Sequence, residues 1–579
     1  MTVRIARIAL SFGALLGCCG LCLHGFGQTG DVLHEIANLR DPARGIRRGA
    51  AMNLGRMGDR RAVPALIAAL NNADPQVQEF VVRALAELKD PRAIEPLIAI
   101  ARKNADKELQ MYAIEAVGEF KDARAIAALI DIPSRSAQDD RTVAIALGRI
   151  GAPAVPPLLA ALKNAEPASR VRVLDALGWI DNARAKDALI SYMKDPDPRV
   201  RKAVVIGLSG HWEDPGRLAS PFDTAALLRS IRQRELPVPM DPRAPGLLVA
   251  ALQDSDAEVQ AAAAQSLGGL KVAAAADPLI ELLRKPVNEG QSLLGKAAQA
   301  ELRKNVAIAL GQIGDARAVD ALIAALGDPA DEVRMWSARS LGEIKDPRAT
   351  EALVLLVNDR NNAVRREALI ALGKIKEPRA VGALIEAMRK RSAEIEASSP
   401  GMMPEQVALD TKRLTIMNDP VLEEAPVTLK QIGEPAVAPL ISALKSTDPV
   451  FRQRILAALN GSKDASAVDA IIAALNDTDM GVRSAALSAL ASASDPRATA
   501  PFMNAWKEAD TTTRTSAVYF LCKNDAAWAT GPVIEAMKEK DSGLAARCIG
   551  FNAQVKTSIE DAVTPLLTDP DSYTREIPA

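Results

Sequence analysis

The sequence predicts an all-α fold, an α-solenoid of about fifteen stacked helix pairs. Three observations predict it. Two 31-residue segments, DARAVDALIAALGDPADEVRMWSARSLGEIK and DPRATEALVLLVNDRNNAVRREALIALGKIK, follow one another without a gap from Asp315 to Lys376, and a fixed period of this length marks a repeat architecture. Each segment carries two apolar stripes at helical spacing, Val319, Leu322, Ile323 and Leu326, then Val333, Ser337, Leu341 and Ile344. Aromatic residues make up only 3% of the chain, which suits thin layers packed through Ala, Leu and Ile better than one large core. A helix of about a dozen residues is marginal alone in water, so each pair must bury its stripes on the next.

The first 27 residues are of another kind. Arg4 and Arg7 precede an apolar run from Ile8 to Leu23, and Gly25-Phe26-Gly27 offers a small-x-small site that frees Gln28. The run is short for a spanning helix, and this order describes an export signal. A second reading is a lipoprotein signal ending at 17, with Leu15-Leu16-Gly17 before a lipidated Cys18. The expected location is therefore exported, periplasmic or envelope-associated, with a membrane link only through that lipid or an uncleaved signal. The mature chain keeps Cys522 and Cys548, whose 26-residue spacing departs from the repeat period and favours two buried thiols over a disulfide.

The array itself spans residues 31–555. His34 to Met57 reads as an irregular terminal pair, as a solenoid cap should. Regular units begin near Asp59, Asp90, Asp122, Ala152 and Asp181, and resume at Glu434, Asp464 and Asp495. Asp-Pro steps such as Asp74-Pro75, Asp90-Pro91 and Asp346-Pro347 supply an N-cap acceptor followed by a first-turn residue without an N–H. The second glycine of Leu54-Gly55-Arg56-Met57-Gly58 and of Leu310-Gly311-Gln312-Ile313-Gly314 is placed to end a helix in the left-handed region, and the first glycine to let helices approach. Residues 556–579 read as a closing helix and a frayed tail.

The pattern DPRAVPALIAAL followed by DxxVRxxAAxALGxIGD resembles the HEAT repeat, in the short form of phycobilisome-lyase-like HEAT proteins. The resemblance covers nearly all of residues 31–555 and implies the solenoid fold. It leaves function open, since adaptors, chromophore lyases and metal hydroxylases share the repeat. It further implies that the arginine after valine, as in Arg201, Arg334, Arg365 and Arg483, pairs with an Asp in an adjacent turn.

Three stretches interrupt the period: 211–240, 284–303 and 391–427. Insertions in a solenoid map to its surface, where specificity is added.

Few residues suggest chemistry. A net charge of −1 gives no sign of a nucleic-acid binder. The HEAT-like iron hydroxylases use four His-Glu pairs, whereas this chain has one, His34-Glu35, which implies no metal site. Gly290 to Ala297 imitates a phosphate-binding loop, but Ala297 stands where a Mg²⁺-holding hydroxyl is needed and no strand precedes it. No GxSxG or HExxH motif and no paired CxxC occurs. No cofactor is expected.

Aromatic residues mark the candidate partner-binding face. Trp179 stands where other units have Arg56, Arg149, Gln312, Glu343 or Lys374, a polar slot that predicts exposure. Phe80, Tyr112 and Trp336 share a register seven residues earlier, where other units carry Thr142, Arg172, Ala262 or Glu367. Positions seven apart lie about 20° apart around a helix, so both registers occupy one flank of the second helix. Trp212, in the first interruption, joins them. The expectation is a non-catalytic exported scaffold or adaptor that binds a protein or peptide along its second helices. The alternative is an enzyme or enzyme accessory of the phycobilin lyase or hydroxylase-like class.

Overall fold

The structure, a computed structural model, describes residues 32–508 except 72–73, 103–105, 133–135, 164, 211–240, 287–291, 398–418 and 493–495. The export signal, Cys18, Trp212, Cys522, Cys548 and residues 556–579 lie outside the described residues. All described secondary structure is helical, in two compact units that divide after Ala244.

The first unit holds α1 (Val32–Asn38), α2 (Arg44–Met57), α3 (Val63–Ala69), α4 (Pro75–Leu88), α5 (Ile94–Arg102) and α6 (Lys107–Glu119). It continues with α7 (Ala125–Ile130), α8 (Ala137–Ile150), α9 (Val155–Leu162), α10 (Pro167–Gly178), α11 (Ala183–Ser191) and α12 (Pro198–Ser209). The second holds α13 (Ala244–Ala251) from its second residue on, α14 (Ala257–Gly269), α15 (Ala276–Arg284), α16 (Leu293–Ile313), α17 (Val319–Ala325), α18 (Asp331–Ile344), α19 (Thr350–Leu356) and α20 (Asn362–Ile375). After α21 (Ala380–Ala397) come α22 (Pro420–Ile432), α23 (Glu434–Ala443), α24 (Pro449–Leu459), α25 (Ala465–Ala474), α26 (Met480–Ala491) and α27 (Thr499–Glu508). Odd numbers are the first helices of pairs and even numbers the second. In each unit successive even helices pack side by side, and the odd helices form a second, less tightly packed layer.

The expected starts and stops are present. Asp74 caps α4 by accepting from the Gln76 N–H at 2.9 Å. Asp90 and Asp346 cap 3₁₀ turns, Pro91–Ala93 and Pro347–Ala349, that lead into α5 and α19. Gly58 and Gly314 end α2 and α16 at φ of 68° and 76°. Where the glycine is missing, lysine takes the same conformation, as at Lys345 and Lys376, both at φ 60°. The first glycine also does what its position predicts: a Cβ on Gly342 would lie 2.8 Å from the Ala371 Cα of the next even helix.

Two interruptions have helical parts. Residues 293–303 are the opening turns of α16, a second helix lengthened to 21 residues. Residues 391–397 finish α21 and residues 420–427 begin α22, so both flanks of the 391–427 stretch are helical. In the phosphate-loop imitation, Ser292 simply caps α16, accepting from the Gly295 N–H at 3.2 Å.

Candidate functional site on the second-helix face

Arginines fix the spacing of the even helices. Arg334 on α18 reaches back to the carbonyls of Asp328 and Pro329 and forward to both oxygens of Asp359, 25 residues on, at 2.8 and 2.9 Å. Arg303 with Asp328, Arg452 with Asp477 and Arg170 with Asp195 repeat the forward half at the same separation. Arg201 and Arg483 make the backward bonds, to the carbonyls of Asp195 and Asp477. Gln78, Gln110 and Gln260 stand in for arginine in three units and make the backward bond, to Leu70, Ala101 and Leu252. A neutral amide can donate to a carbonyl but carries no charge to hold an Asp.

One layer is built the other way round. In α8 the Val-Arg positions are Asp139 and Asp140, and the residue 25 beyond Asp140, where the forward Asp would stand, is Ala165. Arg172 of α10 reaches back instead. Its Nε lies 2.7 Å from Asp140 Oδ1, and its Nη1 donates to the Ile132 carbonyl in the turn before α8. Arg172 thus supplies from the next unit the charge that is missing at position 140. Three residues further along α10, burial and the Asp140 charge push the Asp175 carboxyl up to about 7, against the opposing pull of Arg141.

Beyond these rungs the face carries aromatic rings. Phe80 on α4 and Tyr112 on α6 are half-buried at matching positions. The Arg83 guanidinium lies over both, 5.7 Å from the Phe80 centroid and 4.8 Å from Tyr112. Arg48 on α2 lies over Phe80 at 5.4 Å. The result is a row across three helices, Arg48, Phe80, Arg83 and Tyr112, in which cation–π contacts hold rings and guanidiniums in register. In the second unit Trp336, also half-buried, is covered by Arg339 at 5.0 Å.

Trp179 is not part of this exposed row, which corrects the expectation. It is 6% exposed and caps the end of α10. Its slot lies between neighbouring even helices, where other units form ion pairs such as Arg149 with Glu119 at 2.9 Å and Lys374 with Glu343 at 2.7 Å. Tryptophan fills that seam with apolar surface, and Gly148 makes the room: a Cβ there would overlap the Trp179 side chain. Polar residues at equivalent positions are a poor guide to exposure here, because Arg149, Glu343 and Lys374 are paired across the seam.

His34 is exposed, while Glu35 accepts from Asn38 and Asn53, the latter at 3.0 Å. Among the described residues no group of three or more His, Cys, Asp or Glu is arranged to hold a metal ion.

The family model for HEAT repeats matches residues 31–110, 94–172, 126–209, 155–238, 290–359 and 437–522, well over half of the chain. The chain belongs to the HEAT-repeat family. The model for the PBS lyase HEAT-like repeat matches residues 259–285 and 364–390. No curated protein matches the sequence. Among solved structures, importin beta is similar over 93% of this HEAT-repeat chain and 85% of its own, at 12% identity and a TM-score of 0.39. The complex of CpcE and CpcF of phycocyanin lyase from Nostoc sp. matches over 55% of this chain and 96% of its own, at 21% identity and a TM-score of 0.22. Human deoxyhypusine hydroxylase matches over 49% and 96%, at 24% identity and a TM-score of 0.21. In the HEAT-repeat frame the arginine rungs are architecture, and the row through Phe80 and Tyr112 is what the face presents beyond it.

Proposed function

We propose that this HEAT-repeat protein is a non-catalytic, exported scaffold that binds a protein or peptide partner along its second-helix face. The observation that carries the reading is the row formed by Phe80, Arg83 and Tyr112. Rings and guanidiniums that stay partly open to solvent, yet are held in fixed positions by one another, are the anchors that protein interfaces favour. Their ordering is completed within the scaffold, so little further side-chain entropy is lost on binding. Trp336 with Arg339 offers a second anchor of the same kind.

Crosslinking capture from the native envelope, comparing the wild-type chain with Phe80→Ala/Tyr112→Ala, tests the reading. Partner recovery should fall about tenfold or more, as truncation of interface anchors does. Equal recovery from both would overturn it. Metal analysis of the purified chain addresses the enzyme alternative, since stoichiometric iron would replace the scaffold reading with a hydroxylase-like one.

A further inference from the structure

The row of rings ends on a helix of unusual charge. Between residues 32 and 61 there are seven arginines and only three acids, Glu35, Asp41 and Asp59, in a chain whose net charge is −1. The three acids are occupied: Glu35 holds Asn53, Asp41 accepts from the Ala43 N–H, and Asp59 is bound by Arg61. Helix α2 has four arginines and no acid. Arg47 donates to the Asp41 and Pro42 carbonyls and Arg44 leans on Asp74 at 3.7 Å. Arg48 and Arg56 are exposed and have no carboxylate partner among the described residues. They stand two turns apart with Met52, itself 37% exposed, between them. The spacing is about 12 Å along the axis, close to the span of four residues of an extended peptide.

A guanidinium stacked on a ring keeps its in-plane N–H donors free, and those donors fork onto a carboxylate. Arg48 is in that state on Phe80. We propose that the first unit takes an acidic peptide segment whose carboxylates lie on Arg48 and Arg56, with apolar side chains against Met52, Phe80 and Tyr112. This inference rests on the scaffold reading and names its partner by chemistry. A peptide fits better than a nucleic acid because the arginines of α2 stand beside an apolar ridge, while α4 and α6 add Glu79, Glu87, Glu108 and Glu115 to the adjoining surface.

The test is fluorescence anisotropy on the full chain with three labelled probes: an alternating Glu/Leu peptide, the same peptide with Lys for Glu, and single-stranded oligothymidylate. The acidic peptide should bind, weaken with salt, and lose about tenfold in affinity in each of Arg48→Glu and Arg56→Glu. Arg184→Glu, an exposed arginine on α11, should leave binding unchanged. Equal binding of the Lys peptide, equal or tighter binding of the oligonucleotide, or an unaffected Arg48→Glu chain would each overturn the proposal. Retained sensitivity of native partner capture to Phe80→Ala/Tyr112→Ala would then leave the scaffold reading standing, and its loss would remove both.

Discussion

Arg303 and Asp328 form a buried fork, Nε to Oδ2 at 2.6 Å and Nη2 to Oδ1 at 3.1 Å, that joins helix α16 to the turn following α17. Both side chains are less than a tenth exposed. Removing one partner leaves a charge in a place water does not reach, so Arg303→Ala or Asp328→Ala should cost about 3–5 kcal/mol. Arg303→Met with Asp328→Leu should recover most of that loss. Chemical denaturation of the three variants measures it.

Trp179 belongs to the seam between α8 and α10, so its truncation should be read in stability. Trp179→Ala should cost about 3–5 kcal/mol while partner capture by the folded chain stays unchanged. Gly148→Ala should cost about 1–3 kcal/mol from overpacking against the same side chain. Thermal melts of both variants, beside capture at low temperature, separate the two effects.

Asp175 and the capping aspartates oppose one another in pH dependence. Asp175 titrates at about 7 in the folded chain, above the usual carboxylate value of about 3.9. Between these values the folded chain holds a proton that the unfolded chain has released, so stability falls as pH rises through this window. Asp90, Asp197 and Asp241 are drawn down to about 2 by side-chain hydrogen bonds from Arg92, Arg199 and Arg243, and their contribution is lost as pH falls from about 4 to 2. Asp175→Asn should flatten the decline between about pH 4 and pH 7 and leave the acid limb in place. Melting temperatures across both ranges check this.

Lys345 and Lys376 sit in the left-handed region that disfavours a Cβ. Lys345→Gly and Lys376→Gly should each stabilise the chain by up to about 1 kcal/mol. Part of the gain is offset by the lost positive charge at a helix C-terminus. Urea midpoints of the single and double variants test the sign.

Much of the architecture could be read from residue spacing, because repeats state each local rule many times. Gly58, Gly314 and the Asp-Pro caps were legible for that reason, as was the pairing of Arg334 with an Asp in a neighbouring turn. Where a unit departs from the pattern the sequence misleads, since its neighbours are then a poor guide to solvent. Polar equivalents point Trp179 to the surface, yet three of them, Arg149, Glu343 and Lys374, are engaged in ion pairs across the seam. Arg172 was grouped with ring positions, and its role appears only when Asp140 is seen facing it. The stacking of Arg48 and Arg83 on Phe80 depends on helix-to-helix offsets that no single register encodes.

The reversed layer at Asp140 and Arg172 bears on how freely the parts of this chain can be exchanged. Where each arginine finds its aspartate 25 residues ahead, as at Arg303 and Arg334, deleting one whole repeat brings the next aspartate into the vacated place, and the joint is remade. The α9–α10 repeat cannot be removed on those terms. Its loss would place Asp140 opposite Asp195, two carboxylates where a cation is required, and withdraw the donor from the Ile132 carbonyl. This repeat and its predecessor are therefore a single heritable block, and any duplication, deletion or recombination in the array should have its breakpoints elsewhere.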